Sequence, residues 1–526
     1  MKPLGRRMRL PEHHRFPGAI NAHDSEPGTL RLGSRLRSVR TFSFCEDALC
    51  RRPKRFLTNP LWRGGPLCRR LPAGRQAAGE GSRGLPAEGI LAGVWLRLRR
   101  AKRLALATCC VCLLTLAGRR TLLAEELRAG CARGDITPAQ PVTLAGYASR
   151  KDLCRGVHDP LSARVVALEQ SGQRLVLVSV DNLGFYNGTA APLRKAILEA
   201  CGLKPAELFL CAIHTHSAPA LTLNSEKGHT NNVQYTQTLQ GKLVEAVRNA
   251  LDRLAPVQVG VGAGSCPVGA NRREVVPGND GKTRIVLGRN PSVLTDREVQ
   301  VLKLARAGRN QLAGALFAYA THSTSLGPGN YLVSGDVHGL AEQFLENYLG
   351  GDVVAPGFAG ASGDIDPWYR IAPDFKTNNG WLPEPLLLGT FLGEEVAHVL
   401  EGIQGFATNT AIKTNFKAVE LPAKARGEVQ PAASPTLPFN VTVGRVGDIA
   451  FVGLGGEVFN EIGKAIKSAS PFPHTFILTH CNGAAGYLPT RPRYPEGGYE
   501  VQTSSFAPGA DELLLQETTR LLRELR

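Results

Sequence analysis

The chain has 526 residues and a formal net charge of +17, but its excess of basic residues is confined to the first quarter. Of the 62 Lys and Arg and the 45 Asp and Glu residues, 25 and 7 lie in residues 1–124, which leaves 37 and 38 for the rest. A neutral body has no basic excess with which to neutralise phosphates, which argues against a nucleic-acid-binding body. The length allows a large hydrophobic core.

The first quarter predicts a leader rather than a domain. Residues 1–93 are rich in Arg, Gly and Pro without a sustained hydrophobic period, which is typical of a disordered basic segment. In residues 94–124, a basic stretch precedes 14 apolar residues, Leu104 to Ala117, and Ala124 offers a small residue for cleavage. This is the pattern of a secretory signal peptide, and it is too short for a membrane span. We therefore expect export, periplasmic or secreted, and a true start of translation near Val94.

The cysteines give no metal signature. Six of the twelve precede residue 125, and six follow it at wide spacings without a CxxC pair: Cys131, Cys154, Cys201, Cys211, Cys266 and Cys481. An oxidising compartment would permit disulfides among them. We expect buried free thiols instead.

After residue 125, strand and helix patterns alternate without a long linker, an internal repeat or a low-complexity tract. Hydrophobic patterns predict strands at residues 130–138, 161–168, 175–180, 208–213, 258–261, 299–304, 312–319, 353–358, 410–419, 441–446, 449–454 and 476–479. Amphipathic patterns predict helices at residues 190–200, 235–254, 336–348, 384–403 and 457–467, and from residue 511 onward. Several neighbouring strands have no helix between them. We therefore expect one large layered α/β domain over residues 125–526, with mixed sheets and flanking helices.

The apolar strand pattern at residues 208–213 runs directly into His214, Thr215 and His216. Residues i and i+2 of an extended chain project from the same face, so both imidazoles can enter one pocket. A His-x-His pair at a strand end can supply two metal ligands, or one ligand and one base. The alternative is a polar strand end in contact with solvent.

Other strand ends carry further polar side chains. Functional groups in α/β proteins gather at the carboxyl ends of strands, and here those ends carry His322, Asp364, Asp366, Glu457 and Tyr487. Two histidines, a carboxylate and another oxygen donor predict a zinc site at the strand ends, completed by water. Structural roles are the alternative for each residue alone. Glu457, for example, could complement the N-terminus of the helix predicted at residues 457–467.

Seven segments together resemble the catalytic domain of the neutral/alkaline non-lysosomal ceramidases, a family of zinc-dependent amidases. The resemblance covers roughly residues 127–526. The segments IHTHSAP and GYLPTRPRYPEGGYE are the most specific when they occur together. In chain order the segments are GCARGDITP (130–138), GVHDPLSAR (156–164), IHTHSAP (213–219), ATHSTSL (320–326), GASGDIDP (360–367), GLGGEVFNEIG (453–463) and GYLPTRPRYPEGGYE (486–500).

The resemblance implies a zinc-dependent hydrolase that cleaves ceramide, or a related N-acyl amide, into an amine and a fatty acid. The zinc ligands that it implies are His214, His322, Glu457 and Tyr487. His216 would act beside the metal as acid, base and oxyanion donor, Tyr499 would stabilise the tetrahedral oxyanion, and Arg272 would reach into the active site. The implied partner is a small-molecule or lipid amide, with at most transient contact with a membrane surface.

Two departures from the family keep other functions open. Asp366, which we count among the predicted catalytic residues, stands where the ceramidases have serine, and its charge beside the metal would favour a polar or cationic substrate. The chain stops one helix after Tyr499, so we expect no carboxyl-terminal immunoglobulin-like domain. The alternatives are an exported zinc hydrolase for a polar amide or ester, and a non-catalytic extracytoplasmic metal-binding protein. A nucleotide site at the Gly-rich residues 259–264 is disfavoured, because no clear helix pattern follows them.

Overall fold

The computed structural model describes the body of the protein with four short gaps and one longer one. The described residues are 126–308, 311–350, 353–368, 384–407, 410–425 and 435–526. The predicted leader and the signal-peptide-like segment, residues 1–93 and 94–124, lie outside these ranges. No helix within them is both long and apolar enough to cross a membrane. The six cysteines in these ranges are free thiols, as predicted, but only Cys211, Cys266 and Cys481 are buried.

Twenty strands and seven α-helices form within the described residues. The strands are β1 (Arg128–Asp135), β2 (Gly156–Val157), β3 (Ser162–Gln170), β4 (Gln173–Val180), β5 (Leu208–Ala212), β6 (Ala255–Ser265), β7 (Gly269–Asn271), β8 (Arg273–Pro277), β9 (Thr283–Leu287), β10 (Glu298–Arg306), β11 (Leu312–Tyr319), β12 (Leu332–Val333), β13 (Gly357–Ala359), β14 (Ile365–Pro367), β15 (Ile412–Pro422), β16 (Thr436–Val446), β17 (Ile449–Leu454), β18 (Glu457–Val458), β19 (His474–Leu478) and β20 (Tyr487–Leu488). The helices are α1 (Ala190–Cys201), α2 (Thr230–Asp252), α3 (Asp336–Leu349), α4 (Glu384–Gly402), α5 (Asn460–Ala469), α6 (Tyr499–Thr503) and α7 (Ala510–Glu524).

Two mixed sheets organise the fold. The larger has eight strands in the order β13-β11-β10-β6-β1-β3-β4-β5, and the smaller has four in the order β15-β16-β17-β19. Most neighbours are antiparallel, but β4 with β5, β11 with β13 and β17 with β19 are parallel. The predicted mixed α/β architecture is therefore confirmed, and the parallel pairs bring several strand ends to the same side of the molecule.

The two sheets pack face to face between two layers of helices. Leu177 and Phe209 of the large sheet share one buried cluster with Phe451 and Phe476 of the small sheet. The opposite face of the large sheet is covered by α1 and α2 at one end and by α3 and α4 at the other. Helices α5 and α7 cover the outer face of the small sheet. Both faces of each sheet are buried, which explains the nearly continuous apolar runs of β3, β4 and β17.

The Gly-rich run at residues 259–264 serves packing. It lies in β6, which pairs with β10 and β1 inside the large sheet. A Cβ added at Gly260 or Gly262 would lie 2.6 or 2.9 Å from the side chain of Ile403, just beyond α4. Small residues therefore let this helix approach the sheet closely, and the glycines form no phosphate-binding turn.

Several predicted elements differ in extent from those observed; β6, for example, runs over Ala255–Ser265, where a strand was predicted only at residues 258–261. The strand expected at residues 353–358 is confined to β13, where it pairs with β11. The helix expected from residue 457 begins only at Asn460, because Glu457 and Val458 pair instead with Tyr487 and Leu488 as β18 and β20. Glu457 is thus not a helix-terminal residue, which removes the structural role considered for it.

A buried ion-pair cluster lies between the large sheet and α3. Arg164 is 1% exposed, and its Nη1 lies 2.5 Å from Glu342 Oε2 and 3.2 Å from Asp181 Oδ2. Its Nε donates to Glu346 at 2.9 Å. Burial raises the pKa of Glu342 well above its ordinary value and raises that of Asp181, although Arg164 opposes both shifts. One guanidinium therefore compensates a group of buried carboxyls.

Candidate metal centre

Three imidazoles converge where the strands end. His214 and His216 follow β5, His322 follows β11, and the two segments are joined by a parallel bridge between Thr215 and Ser323. One ring nitrogen of each histidine lies within 4.8 Å of the others. His214 adopts the left-handed backbone region with φ +62°, which is uncommon for a residue other than glycine. Such strain is found where a side chain must be held in a particular place.

Glu457 enters this cluster from β18, the short strand that follows β17 of the small sheet. The short pairing of β18 with β20 sets Glu457 beside Tyr487. Glu457 Oε2 lies 3.4 Å from His214 Nε2 and 3.6 Å from His322 Nε2. The acid and the histidines thus come from different sheets and meet at one point.

The ring nitrogens of two histidines are committed in the manner of metal ligands. His214 Nδ1 lies 2.6 Å from the carbonyl oxygen of Leu183, and His322 Nδ1 lies 2.8 Å from that of Ser362. A carbonyl can only accept, so each Nδ1 carries a proton and each Nε2 faces the cluster. Metal-ligating histidines usually have such a backbone partner on the far nitrogen.

His216 differs from the other two histidines in its surroundings. Its Nε2 lies 3.3 Å from His214 Nε2, but its buried Nδ1 has no hydrogen-bond partner among the described residues. The loop at Gly146 lies flat against the ring, because a Cβ there would be 2.4 Å from Nδ1. Burial, with a contribution from His214 and His322, lowers the pKa of His216 well below its usual value. The buried surroundings of His216 therefore favour the neutral form of its imidazole.

The donor set fits a divalent metal. Glu457 Oε2 is buried and has no hydrogen-bond partner among the described residues, although it faces the Nε2 atoms of His214 and His322. Burial favours the neutral acid, but the imidazoles outweigh it and hold the pKa of Glu457 well below its ordinary range. A carboxylate oxygen that faces the Nε2 atoms of two histidines is a donor set that suits a divalent metal ion.

Arg272 and Asp366 lie at the edge of the cluster. Arg272 Nη1 is 3.2 Å from His322 Nε2 and 3.2 Å from Asp366 Oδ1, and its Nε donates to Glu500 at 2.8 Å. Asp366 Oδ2 is also 3.4 Å from Arg289 Nη1. The sequence had suggested a carboxylate acting alone beside the metal. In the structure, part of its charge is compensated by two guanidinium groups.

The two predicted tyrosines occupy different depths. Tyr487 is buried, and the Arg272 guanidinium carbon lies 5.4 Å from its ring centre. Burial and the charge of Glu457 raise the pKa of Tyr487 well above its usual value, against the effect of Arg272. Tyr499 is 46% exposed, and its ring centre is 5.7 Å from that of Tyr487. The structure thus places Tyr499 on the surface, next to the buried Tyr487.

Three residues near the centre were missed by the sequence analysis. His480 stacks on His214 with ring centres 3.9 Å apart, Tyr186 donates to Glu457, and Glu500 bridges Arg272 and Arg273. His480 follows β19, so the rule that selected the other strand ends could have found it. Glu500 closes the last segment of the resemblance and lies in α6, so that segment could have pointed to it. Tyr186 had no comparable signal, because a loop residue acquires its neighbours only in the folded chain.

Comparison with known proteins agrees with the resemblance in the sequence. Residues 127–368 match the model of the neutral/alkaline non-lysosomal ceramidase N-terminal domain. The match covers slightly less than half of the chain. The neutral ceramidase of Pseudomonas aeruginosa is 27% identical over 273 residues, which are 47% of this chain and 38% of that protein. Neutral ceramidase 1 of Arabidopsis thaliana is 26% identical over 238 residues, 43% of this chain and 29% of that protein.

The chain therefore spans less than two fifths of the length of these two relatives. The crystal structure of the Pseudomonas aeruginosa neutral ceramidase superposes with a TM-score of 0.63 at 19% identity, covering 76% of this chain and 74% of that one. A solved ceramidase complexed with C2 gives a TM-score of 0.62, also at 19% identity, covering 76% of this chain and 75% of that one. These superpositions show a shared ceramidase fold. The family-matched residues 127–368 include His214, His216 and His322, whereas Glu457 lies beyond them.

Proposed function

We propose that this protein is a zinc-dependent amidohydrolase that cleaves the N-acyl bond of ceramide or of a closely related lipid amide. The observation that carries the proposal is the unpartnered, buried Glu457 Oε2, which faces Nε2 of both His214 and His322. In this proposal the zinc ligands are His214, His322, Glu457 and Tyr487. Bound zinc would polarise the substrate carbonyl and make water nucleophilic at neutral pH.

His216 is the proposed proton carrier. Amide hydrolysis forms a bond between the water oxygen and the carbonyl carbon, breaks the C–N bond, and requires a proton on the departing amine. A neutral imidazole can accept the proton released by water and then deliver it to the nitrogen. The position of His216 next to His214, and its lack of a fixed Nδ1 partner, suit this exchange.

Arg272 and Tyr499 are the proposed substrate-orienting residues. Arg272 is buried against His322, so its charge can bind an oxygen of the substrate and complement negative charge that develops on the carbonyl. The exposed ring of Tyr499 can contact the substrate as it enters beside Tyr487. We further propose that the protein works outside the cytoplasm, on the basis of the signal-peptide pattern in residues 94–124.

Metal content and substrate preference test this proposal together. The purified protein should hold about one zinc ion per chain, hydrolyse N-acyl sphingosines, lose activity with a strong chelator, and regain it when zinc returns. Small polar amides and esters assayed in parallel represent the rival hydrolase. Zinc binding without hydrolysis of any amide or ester would instead indicate a metal-binding protein, and absence of zinc would overturn the proposal.

Replacing Asp366 by serine should shift substrate selectivity. The change removes a negative charge that would attract a polar or cationic amine portion of the substrate. The kcat/KM for ceramide should therefore rise relative to that for such substrates. Because Arg272 and Arg289 already compensate part of this charge, we expect a change of about tenfold in the ratio of the two kcat/KM values, about 1.4 kcal/mol. An unchanged ratio at the same pH would mean that Asp366 only holds the loop before Pro367.

A further inference from the structure

We propose that Tyr186 is a positioning residue that turns Glu457 so that a single carboxylate oxygen faces the metal. The inference rests on the proposed function, because it concerns a ligand of the proposed zinc. It adds a residue that lies on the loop after β4, outside all seven segments that carry the family resemblance.

The two oxygens of Glu457 have different environments. Tyr186 donates its hydroxyl hydrogen to Oε1 at 2.5 Å. Oε2 has no hydrogen-bond partner among the described residues, and it is the oxygen that faces His214 and His322. A short hydrogen bond to an ionised carboxylate is a strong one, so the phenol fixes which oxygen is available to a metal.

The loop that carries Tyr186 is built to hold this position. Tyr186 packs back over Gly184, where an added Cβ would lie 2.6 Å from its ring. The carbonyl oxygen of Tyr186 accepts hydrogen bonds from both the hydroxyl and the backbone N–H of Thr189, at 2.7 and 3.1 Å, just before α1. Ring and backbone are therefore both restrained.

The same loop also orients a second proposed ligand. The carbonyl oxygen of Leu183 lies 2.6 Å from His214 Nδ1. One short stretch, residues 183–186, thus contacts the histidine that follows β5 and the carboxylate in β18 on the sides away from the cluster. Such outer partners fix ligand orientation, and their loss typically lowers metal affinity or activity by about 10- to 100-fold.

Tyr186→Phe should therefore change the metal centre itself. Without the phenol, Glu457 can rotate and offer both oxygens, which raises the coordination number and weakens the site. The test uses the full chain loaded with Co²⁺, for which we expect weaker visible absorption, and a chelator competition with Zn²⁺, for which we expect a loss of about 10- to 100-fold in affinity. In lipid-amide assays, kcat should fall more than KM changes.

Tyr235→Phe is the matched control. Tyr235, like Tyr186, is a partly buried tyrosine whose hydroxyl donates a hydrogen bond. Its acceptor is the carbonyl oxygen of Ile136, at 2.9 Å, and it lies in α2 against β1. Loss of its hydroxyl should lower stability modestly and leave the Co²⁺ spectrum and Zn²⁺ affinity unchanged. If Tyr186→Phe behaves in the same way, Tyr186 is merely structural and the inference is wrong. If the wild-type protein binds neither metal, the proposed function fails instead.

Discussion

Replacing His214 or His322 by alanine should remove the metal and abolish hydrolysis. Each change deletes an Nε2 that faces Glu457, together with a side chain whose Nδ1 is already held by a backbone carbonyl. Replacing His216 should have a different result, because that ring lacks such a partner. We expect His216→Ala to keep most of its zinc while turnover falls by about 10²- to 10⁴-fold, the usual contribution of a general acid or base.

Zinc content by mass spectrometry, measured beside turnover, separates the two roles. His229→Ala is a suitable control, since His229 is an exposed residue whose ring accepts from Asn231 at the start of α2. It should change neither the metal content nor the turnover. Equal loss of zinc from the His214, His216 and His322 variants would show that His216 is itself a ligand and that the assignment of the proton carrier is wrong.

The largest effect on stability is expected at Arg164. Arg164→Leu removes the only guanidinium whose contacts reach all three of Asp181, Glu342 and Glu346 among the described residues. Breaking a buried ion pair by deleting one partner typically costs about 3–5 kcal/mol, because the remaining charge is left without compensation. Urea unfolding should therefore show a strongly lowered midpoint with little change in slope.

The pH dependence of the variant follows from the carboxyl groups. Burial already raises the pKa of Glu342 and of Asp181, and loss of Arg164 would raise them further. Groups with a raised folded-state pKa contribute stability at low pH that is lost as pH rises through that pKa. The loss of unfolding free energy in Arg164→Leu, relative to the wild-type protein, should thus be smaller at pH 5 than at pH 8. Arg491→Leu, which breaks an exposed pair with Glu512, should leave the midpoint nearly unchanged; a similar small effect for Arg164→Leu would contradict this account.

Local patterns in the sequence were sufficient for most of the fold. Strands β3, β4, β5, β11 and β17 are apolar runs of the expected length, and the amphipathic face of α2 could be recognised from its spacing. The hairpin of β8 and β9 was not predicted. Its strands expose Val275 and Leu287 on a surface of mixed polarity, so neither a clean alternation nor a buried run marks them.

The sequence predicted several residues of the candidate metal centre but not the contacts around them. His214, His322 and Glu457 were identified because each follows an apolar strand, and the fold then brings those strand ends together. The compensation of Asp366 by Arg289 could not be foreseen, since it depends on how the loop after β9 returns to the sheet. The contact of Tyr186 with Glu457 likewise joins residues that no sequence motif links.

The proposed ligands follow strands of both main sheets, and this has a consequence for the lifetime of the protein. During synthesis, the histidines emerge well before Glu457 and Tyr487, so no ion can be fully enclosed until the small sheet has docked. Once enclosed, the ion would tie the two layers together and add its binding free energy to that of folding, about 4 kcal/mol at a free zinc concentration 1,000 times the Kd. Resistance to proteolysis would then rise and fall with the zinc supply, quite apart from any substrate that the centre turns over.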